Sequence, residues 1–228
     1  MLFPMIDDFG PLWLTLKLAV TVTIILLILG TPFSWWLAHT KSRLKPICET
    51  VVSLPLVLPP TVIGFYLLVA FNPNSLLGAF WMTMTGETLT FSFNGLVLAS
   101  LVYSLPFMVQ PLQSAFEVVG RKEYEAAQSL GATPLDAFVS VIIPMSLRGF
   151  ISAMVLTFAH TIGEFGIVLM VGGNIPNETK VISIAIYEHV ETLEYAQAHL
   201  WSAFLLLMSF AILLGVYTLN KRFRLNVG

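Results

Sequence analysis

The chain has 228 residues, of which 57% are hydrophobic and 11% are charged, and its net charge is −2. Soluble domains carry about 25% charged residues, so this composition excludes an ordinary soluble protein and indicates a lipid bilayer as the solvent. The weakly acidic balance gives no reason to expect nucleic acid as a partner. The single cysteine, Cys48, excludes an intramolecular disulfide and a cysteine-based metal cluster, and we expect no metal site.

Five apolar runs each approach the length of about 20 residues that a helix needs to cross the hydrocarbon core. They predict spans at 12–38, 47–71, 95–112, 149–171 and 198–219. The segment 72–94 contains proline and glycine and is predicted as a loop. In the segment 172–197, the short apolar stretch 181–187 is predicted to pack on the bundle, because it is too short to span. The chain therefore reads as an all-α membrane protein with a single transmembrane domain at 1–228.

The basic residues predict the orientation of this domain. Nine of the eleven lysines and arginines fall on one side under five alternating spans. They are Lys41, Arg43, Lys45, Arg121, Lys122, Arg148, Lys221, Arg222 and Arg224. Because cytoplasmic loops carry the excess of positive charge, this side is predicted to be cytoplasmic. The N-terminus is then outside and the C-terminus inside.

The second span contains the sequence Leu-Pro-Leu-Val-Leu-Pro-Pro-Thr-Val-Ile-Gly, which begins at Leu54. Each proline removes a backbone donor and clashes one turn back, so a straight helix is excluded. Broken helices are where transporters often build binding sites and gates. The candidate pathway or gate residues here are Pro55, Pro59, Pro60, Thr61 and Gly64. The alternative is a packing kink without contact to a substrate.

A polar segment lies between the third and fourth spans. Helix formers precede Gly131, which suits a C-terminal stop, and Thr133 followed by Pro134 predicts the start of a second helix. That helix is expected to run to about Val141 and to be ended by Pro144. The spacing therefore predicts a helix, a tight turn and a helix on the cytoplasmic face. From spacing alone, an ordinary loop helix on the membrane surface is the alternative.

The fourth span contains an ionisable residue, Glu164, within a hydrophobic run. Such a group is expensive in a membrane unless it is paired, neutral or hydrated. His160 lies one turn earlier on the same face, so we favour a His160–Glu164 pair, with two independently satisfied groups as the alternative. Neither a third metal ligand nor a nucleophile accompanies the two residues, so neither a metal site nor a catalytic site is expected.

The cytoplasmic segment resembles the EAA signature of ABC importer permeases. The signature positions are Glu125, Ala126, Ala127, Gly131 and Pro144. Val141 and Ile143 stand where the signature has Ile and Leu. The resemblance implies a type I ABC importer transmembrane domain at about 12–218. It also implies a cytoplasmic coupling loop at about 113–147, whose coupling helix docks on an ABC ATPase subunit.

The resemblance also implies partners. The chain has no G-x-x-x-x-G-K-[ST] phosphate loop, so it is not expected to be an enzyme. We expect no cofactor on this chain, since ATP and Mg would be bound by the separate ATPase. ABC importers need two docking sites and the chain carries one signature, so a homodimer is expected.

The proline segment, the Gly-Glu-Phe-Gly sequence that begins at Gly163 and the EAA loop together look like the permease subunits of molybdate ABC importers. Sulfate/thiosulfate and tungstate permeases are close relatives. The resemblance extends over nearly the whole chain and includes the segment Asn174–Thr179. His160 stands where many members have Arg. The resemblance implies import of a tetrahedral dianion across the bacterial inner membrane, delivered by a periplasmic oxyanion-binding protein.

Transit of such an anion would rely on helix N-terminal amides and on hydroxyls, since the spans carry almost no fixed positive charge. The hydroxyl candidates are Thr61, Ser100, Ser104, Thr157 and Thr161. Gly163, His160 and Glu164 complete the candidate pathway. The alternative for each hydroxyl is a bond to its own helix or packing between helices.

Two other classes of protein remain as alternatives. A stand-alone channel or secondary carrier would need intramembrane charges for ion coupling, and only Glu164 and His160 are visible. It would also leave the EAA loop without a partner. An intramembrane enzyme would need a Ser–His, paired-Asp or metal constellation in the spans, and the sequence shows none.

Overall fold

The computed structural model describes residues 9–224, which form helices and connecting turns without a strand. Residues 1–8 and 225–228 of the expected domain lie outside the described part. The helices are α1 (Gly10–His39), α2 (Lys45–Val57), α3 (Pro60–Phe71), α4 (Leu76–Thr85), α5 (Phe93–Val119), α6 (Lys122–Ser129), α7 (Pro134–Ala137), α8 (Ile143–Met145), α9 (Leu147–Ile162), α10 (Gly166–Gly172), α11 (Ile182–Glu191) and α12 (Tyr195–Arg224). A π-helical turn, Phe138–Ile142, joins α7 to α8.

Within residues 9–224, three helices are each long and apolar enough to cross a bilayer, namely α1, α5 and α12. Two bent pairs raise the number of candidate spans to at most five. One pair is α2 with α3, and the other joins Pro134–Met145 to α9. The predicted fourth span, 149–171, is not one continuous helix, because residues 163–165 interrupt it between α9 and α10.

The expected break in the second span lies at Leu58 and Pro59. The chain bends by 113° between the two halves, α2 and α3. Leu58 is extended (ψ 139°), as expected for a residue that precedes a proline, and Pro60 occupies the first turn of α3, where its missing N–H costs little. Pro55 lies inside α2 without ending it. The Pro59–Pro60 pair is therefore the breaker.

Two predicted boundaries were wrong. The segment 72–94 is not only a loop, since it contains α4, whose N-cap Ser75 accepts a bond from the Gly78 N–H at 3.0 Å. The third span does not stop at Leu112, because α5 runs to Val119 and ends at Gly120, where φ is +81°. In both cases local helix signals extended beyond the apolar run that guided the prediction.

Pro144 was predicted to end the second helix of the cytoplasmic segment, and this was wrong. The chain remains helical to Met145 and bends by 76° at Ser146. The preceding π-turn accommodates the proline, since the Ile143 N–H donates five residues back to the Phe138 carbonyl. Ordinary α-helical hydrogen bonding resumes after the proline, because the Ser146 N–H donates to the Ile142 carbonyl at 2.9 Å.

The core is built around α5, which packs against α1, α2, α9 and α10. Phe116 and Leu112 of α5 are fully buried there. Helix α11 contains the apolar stretch predicted to pack on the bundle, and it contacts α1 and α12. The Ile182 N–H at its start donates to Thr15 Oγ1 at 2.8 Å. In contrast, α12 exposes large apolar side chains such as Leu206 and Phe210, as a lipid-facing helix does.

Candidate functional site

Five of the predicted site residues meet at the break between α9 and α10. We call them the Glu164 cluster: Ser100, Ser104, His160, Thr161 and Glu164. The two serines lie one turn apart on α5. His160 and Thr161 occupy the last turn of α9, and Glu164 follows in the break. The side chain of Glu164 is 1% exposed.

The carboxylate of Glu164 is satisfied by hydroxyl donors. Ser100 Oγ donates to Oε2 at 2.5 Å, and Ser104 Oγ donates to Oε1 at 2.7 Å. His160 Nδ1 lies 3.5 Å from Oε1 but only 2.9 Å from Ser104 Oγ. The His160–Glu164 pair that we favoured is therefore a close contact bridged by Ser104. Both carboxylate oxygens therefore accept a hydrogen bond from a serine of α5.

The cluster joins three helices, α5, α9 and α11. Ser183 at the start of α11 donates through Oγ to the backbone carbonyl of Glu164 at 2.6 Å. The imidazole of His160 stacks on Phe107 of α5, with 3.9 Å between ring centroids. Thr161 donates to the Thr157 carbonyl at 3.0 Å, which is the bond to its own helix that we considered as the alternative. The cluster thus fixes the break of the fourth span against α5 and α11.

The hydroxyl candidates differ in exposure. Ser100, Ser104, Thr157 and Thr161 are all buried, and Thr157 Oγ1 has no hydrogen-bond partner among the described residues. At the two breaks, in contrast, Pro59, Thr61 and Gly163 are exposed, and Pro60 is half-buried. Within residues 9–224, no group of three His, Cys, Asp or Glu side chains is placed to hold a metal.

Helix α3 is held against α10 by glycine contacts. A Cβ added at Gly64 would lie 2.8 Å from Met170 Cβ, so only glycine permits this approach. Similarly, a Cβ at Gly166 would lie 3.1 Å from Pro60 Cβ. The buried Gly64 therefore has a packing role that joins the two interrupted spans. Pro55 is also buried, within α2.

The segment that was predicted to be cytoplasmic forms the expected helix, turn and helix. Helix α6 ends before Gly131, whose φ of +97° is the left-handed region that favours glycine. Thr133 Oγ1 then caps α7 by accepting from the Asp136 N–H at 3.2 Å. Leu130 and Leu135 on either side of the turn are 91% and 73% exposed. The turn therefore has an exposed apolar surface formed by these two leucines.

The signature residues lie on this exposed element. Glu125 Oε1 accepts from Arg121 Nε at 2.8 Å, and both side chains are more than half exposed. Ala126 and Pro144 are exposed, and Ala127 is half-buried. Small side chains on an exposed helix allow a partner to approach the backbone closely.

Sequence reasoning missed a second polar region, on α2 and α5. Lys45, Glu49 and Ser53 recur every four residues, and Gln110, Gln113 and Glu117 recur at intervals of three and four. This spacing puts each set on one helix face, and it is the signal that could have found them. The two sets bond to each other across the helices.

Solved structures define the class of the fold. The chain superposes on the inward-facing MetNI methionine ABC transporter with a TM-score of 0.69 at 16% identity, over 93% of this chain and 94% of that one. A bacterial alginate ABC transporter, solved with its periplasmic protein, gives 0.68 at 16% identity over 93% and 79%. The fold is that of an ABC importer transmembrane domain.

Sequence comparison defines the family. Residues 30–225 match the model of the binding-protein-dependent transport system inner membrane component. The molybdenum transport system permease protein ModB of Azotobacter vinelandii is 51% identical over 95% of this chain and 96% of its own length. ModB of Haemophilus influenzae is 35% identical over 94% of each chain. The sulfate permease CysT of Salmonella typhimurium is 31% identical over 92% of this chain and 75% of its own. The chain belongs to this family of inner membrane transport components.

Proposed function

We propose that this chain is the permease subunit of an ATP-driven ABC importer that moves molybdate across the bacterial inner membrane. The observation that carries the proposal is the 51% identity to a molybdenum permease over nearly the full length of both chains. Sulfate permeases are 29–33% identical and also align over most of this chain. Transport of sulfate/thiosulfate or tungstate is therefore the second candidate.

Docking of an ABC ATPase on the EAA loop is the coupling step of this proposal. Its support is the exposed turn at Gly131 between α6 and α7, with Leu130 and Leu135 available for burial in a partner. Glu125 offers a carboxylate on the same surface, where it can exchange Arg121 for a partner group. The ATPase binds ATP and Mg, and a periplasmic oxyanion-binding protein delivers the substrate.

The topology of the proposal has five spans, with the N-terminus outside and the C-terminus inside. The transmembrane domain covers about 12–218, and the coupling loop covers about 113–147. Two copies of the chain form the permease, because one EAA loop serves one ATPase. The interrupted spans at Pro59 and Gly163 act as gates, which is consistent with the exposure of both residues.

The test is ATP-driven uptake in proteoliposomes that contain this chain, its co-purifying ATPase and its binding protein. We expect uptake of labelled molybdate that tungstate blocks and that excess sulfate does not block. Strong competition by sulfate would move the protein to the sulfate branch. Uptake without any ATPase would discard the ABC importer and favour a channel or secondary carrier.

A further inference from the structure

The polar residues shared by α2 and α5 form a ladder on the surface of the bundle. Its rungs are Lys45 with Glu117 (3.4 Å), Gln113 with Glu49 (2.8 Å) and Gln110 with Ser53 (3.1 Å). The numbers rise along α2 while they fall along α5, so the two helices run antiparallel. Ser53 lies eight residues beyond Lys45, which is about 12 Å along the helix axis. We call these six residues the polar ladder.

Half of the polar ladder lies within the predicted spans, and the other half lies at their ends. The side chains of Glu49 and Glu117 are 38% and 45% exposed, and Gln110 is exposed as well. Glu49, Ser53 and Gln110 lie within the spans, where an ionisable side chain such as Glu49 faces water or protein and not lipid. A surface suited to lipid is apolar, as on α1, where Ile28 and Leu29 are exposed.

Two cavities adjoin the polar ladder. One of about 460 Å³ is lined by Glu49, Ser53 and the neighbouring residues of α2. The second, of about 200 Å³, is lined by Glu49, Ser53, Gln110 and Gln113, together with Val52. The ladder therefore borders open depressions on the surface of the bundle.

The rungs of the polar ladder differ in how many of their hydrogen-bond donors are already used. Gln113 uses its Nε2 twice, toward Glu49 at 2.8 Å and Glu117 at 3.0 Å. Gln110 donates once, to Ser53 Oγ, and so keeps a second N–H. Ser53 Oγ accepts that bond and keeps its own proton for another acceptor. The Gln110–Ser53 rung thus offers two uncharged donors, whereas Gln113 uses both N–H groups of its amide within the ladder.

We propose that the polar ladder lines the cytoplasmic half of the oxyanion route, with Gln110 and Ser53 as the donors that a passing dianion contacts. This inference rests on the proposed function and on its orientation, which puts Lys45 at the cytoplasmic end. The facing wall is the same surface of a second copy of this chain. Neutral donors form weaker hydrogen bonds to an anion than charged donors do, so they stabilise it in transit without trapping it.

The two rungs that contain Lys45 and Glu49 carry a net negative charge. Lys45 lies 3.7 Å from Glu49 and 3.4 Å from Glu117, so this end of the ladder carries one positive and two negative charges. This charge repels a dianion in both directions of travel, so the uncharged Gln110–Ser53 rung is where the anion would make its contacts.

Gln110→Leu and Ser53→Ala test the proposal in the reconstituted importer, with molybdate uptake, ATP hydrolysis and thermal unfolding measured together. Gln110→Asn keeps the amide donors. Thr23→Val is the matched control, since Thr23 Oγ1 donates to the Ala19 carbonyl of its own helix at 2.7 Å. We expect Gln110→Leu to slow uptake about tenfold, the equivalent of 1.4 kcal/mol, and Gln110→Asn to restore part of the rate.

ATP hydrolysis and the unfolding temperature should remain near those of the unmodified chain. Uptake by Gln110→Leu and Ser53→Ala at the rate of Thr23→Val would overturn the ladder as the route. Failure of the unmodified chain to take up molybdate would instead overturn the proposed function. Loss of ATPase binding by Gln110→Leu would contradict the proposal by making the ladder a structural element of assembly.

Discussion

The Glu164 cluster and the polar ladder contain similar residue types in opposite surroundings. In the cluster, Glu164 is buried and both of its carboxylate oxygens accept bonds from serines of α5. In the ladder, Glu49 and Gln110 lie at the surface and border open cavities. The two regions use different faces of the same helix, α5, so they do not merge into one site.

The difference distinguishes polar residues that stabilise the fold of a membrane protein from polar residues that serve its transport function. A buried polar group must be satisfied internally, and removing one partner leaves the other with its full desolvation cost. Changes in the cluster should therefore lower stability first. Ladder residues at the surface have little desolvation cost when water covers them. Changes there should therefore lower transport first.

Replacing Glu164 gives the largest expected effect. Glu164→Ala leaves the buried Ser100 without its acceptor and removes one partner of Ser104, and we expect it to cost about 3 kcal/mol, since an unsatisfied buried polar group costs about 1–3 kcal/mol. Thermal unfolding of the purified complex measures the loss. Gln110→Ala is the exposed control and should change stability by less than about 0.5 kcal/mol.

The Gln variant at the same position refines this result. Glu164→Gln keeps one acceptor oxygen and should be milder than Glu164→Ala if hydrogen bonding dominates. A loss as severe as that of Glu164→Ala would support a charged pair with His160. Equal stability of Glu164→Ala and Gln110→Ala would end the distinction between the two regions.

Tight packing beside the cluster gives the next effect. Gly64→Ala places a Cβ 2.8 Å from Met170 Cβ, and we expect a loss of about 1–3 kcal/mol, the usual cost of overpacking. Gly163→Ala is the matched control, because its nearest atom would be the His160 carbonyl oxygen at 3.7 Å. If both variants unfold at the same temperature, α3 is not held by this contact.

The loop around Gly131, which we propose docks on the ATPase, is exposed like the ladder, so a change there should affect transport more than stability. Gly131→Val has space for its side chain but not the backbone freedom, since φ is +97° and a left-handed residue costs about 1–2 kcal/mol. We expect ATP-driven uptake to be lost while the chain remains folded. Gly131→Asn tolerates this conformation better and should retain more activity. Normal uptake by Gly131→Val would refute the docking geometry.

The smallest expected effect concerns the ion pair between Lys180 and Glu188 of α11. A hydrogen bond from Lys180 and another from Asn174 lower the pKa of Glu188 below its usual 4.5. The ionised pair therefore stabilises the fold above pH 4.5, and this contribution is lost as the pH falls through the lowered pKa. Glu188→Gln should remove that part of the acid sensitivity, by less than about 1 kcal/mol. An unchanged pH profile of unfolding would contradict the pair's contribution.

The sequence predicted the break in the second span and the turn at Gly131 well, because proline, glycine and cap residues act locally, whereas the break at 163–165 in the fourth span was not predicted. Pro59, Pro60 and Gly131 therefore mark their elements without tertiary information. Helix ends were less predictable, since α5 passes beyond the apolar run to Gly120. The route of the Glu164 hydrogen bonds through Ser100 and Ser104 depends on the packing of α9 against α5, which no local pattern encodes.

The residues of the polar ladder could have been found from the sequence, but their pairing could not. Its spacing on α2 and on α5 is visible in the sequence, but the pairing of Gln110 with Ser53 requires that the two helices lie side by side. Exposure was equally unpredictable, because Ser104 and Gln110 are polar residues of one helix with opposite burial.

Thiol accessibility tests the central claim most directly. In a Cys48→Ser background, Ser104→Cys, Gln110→Cys and the lipid-side control Ile28→Cys would be reacted with a membrane-impermeant maleimide in inverted vesicles, before and after denaturation. Our account predicts rapid labelling of Gln110→Cys in the folded protein and labelling of the other two only after denaturation. Rapid labelling of Ser104→Cys, or protection of Gln110→Cys to the level of Ile28→Cys, would contradict it.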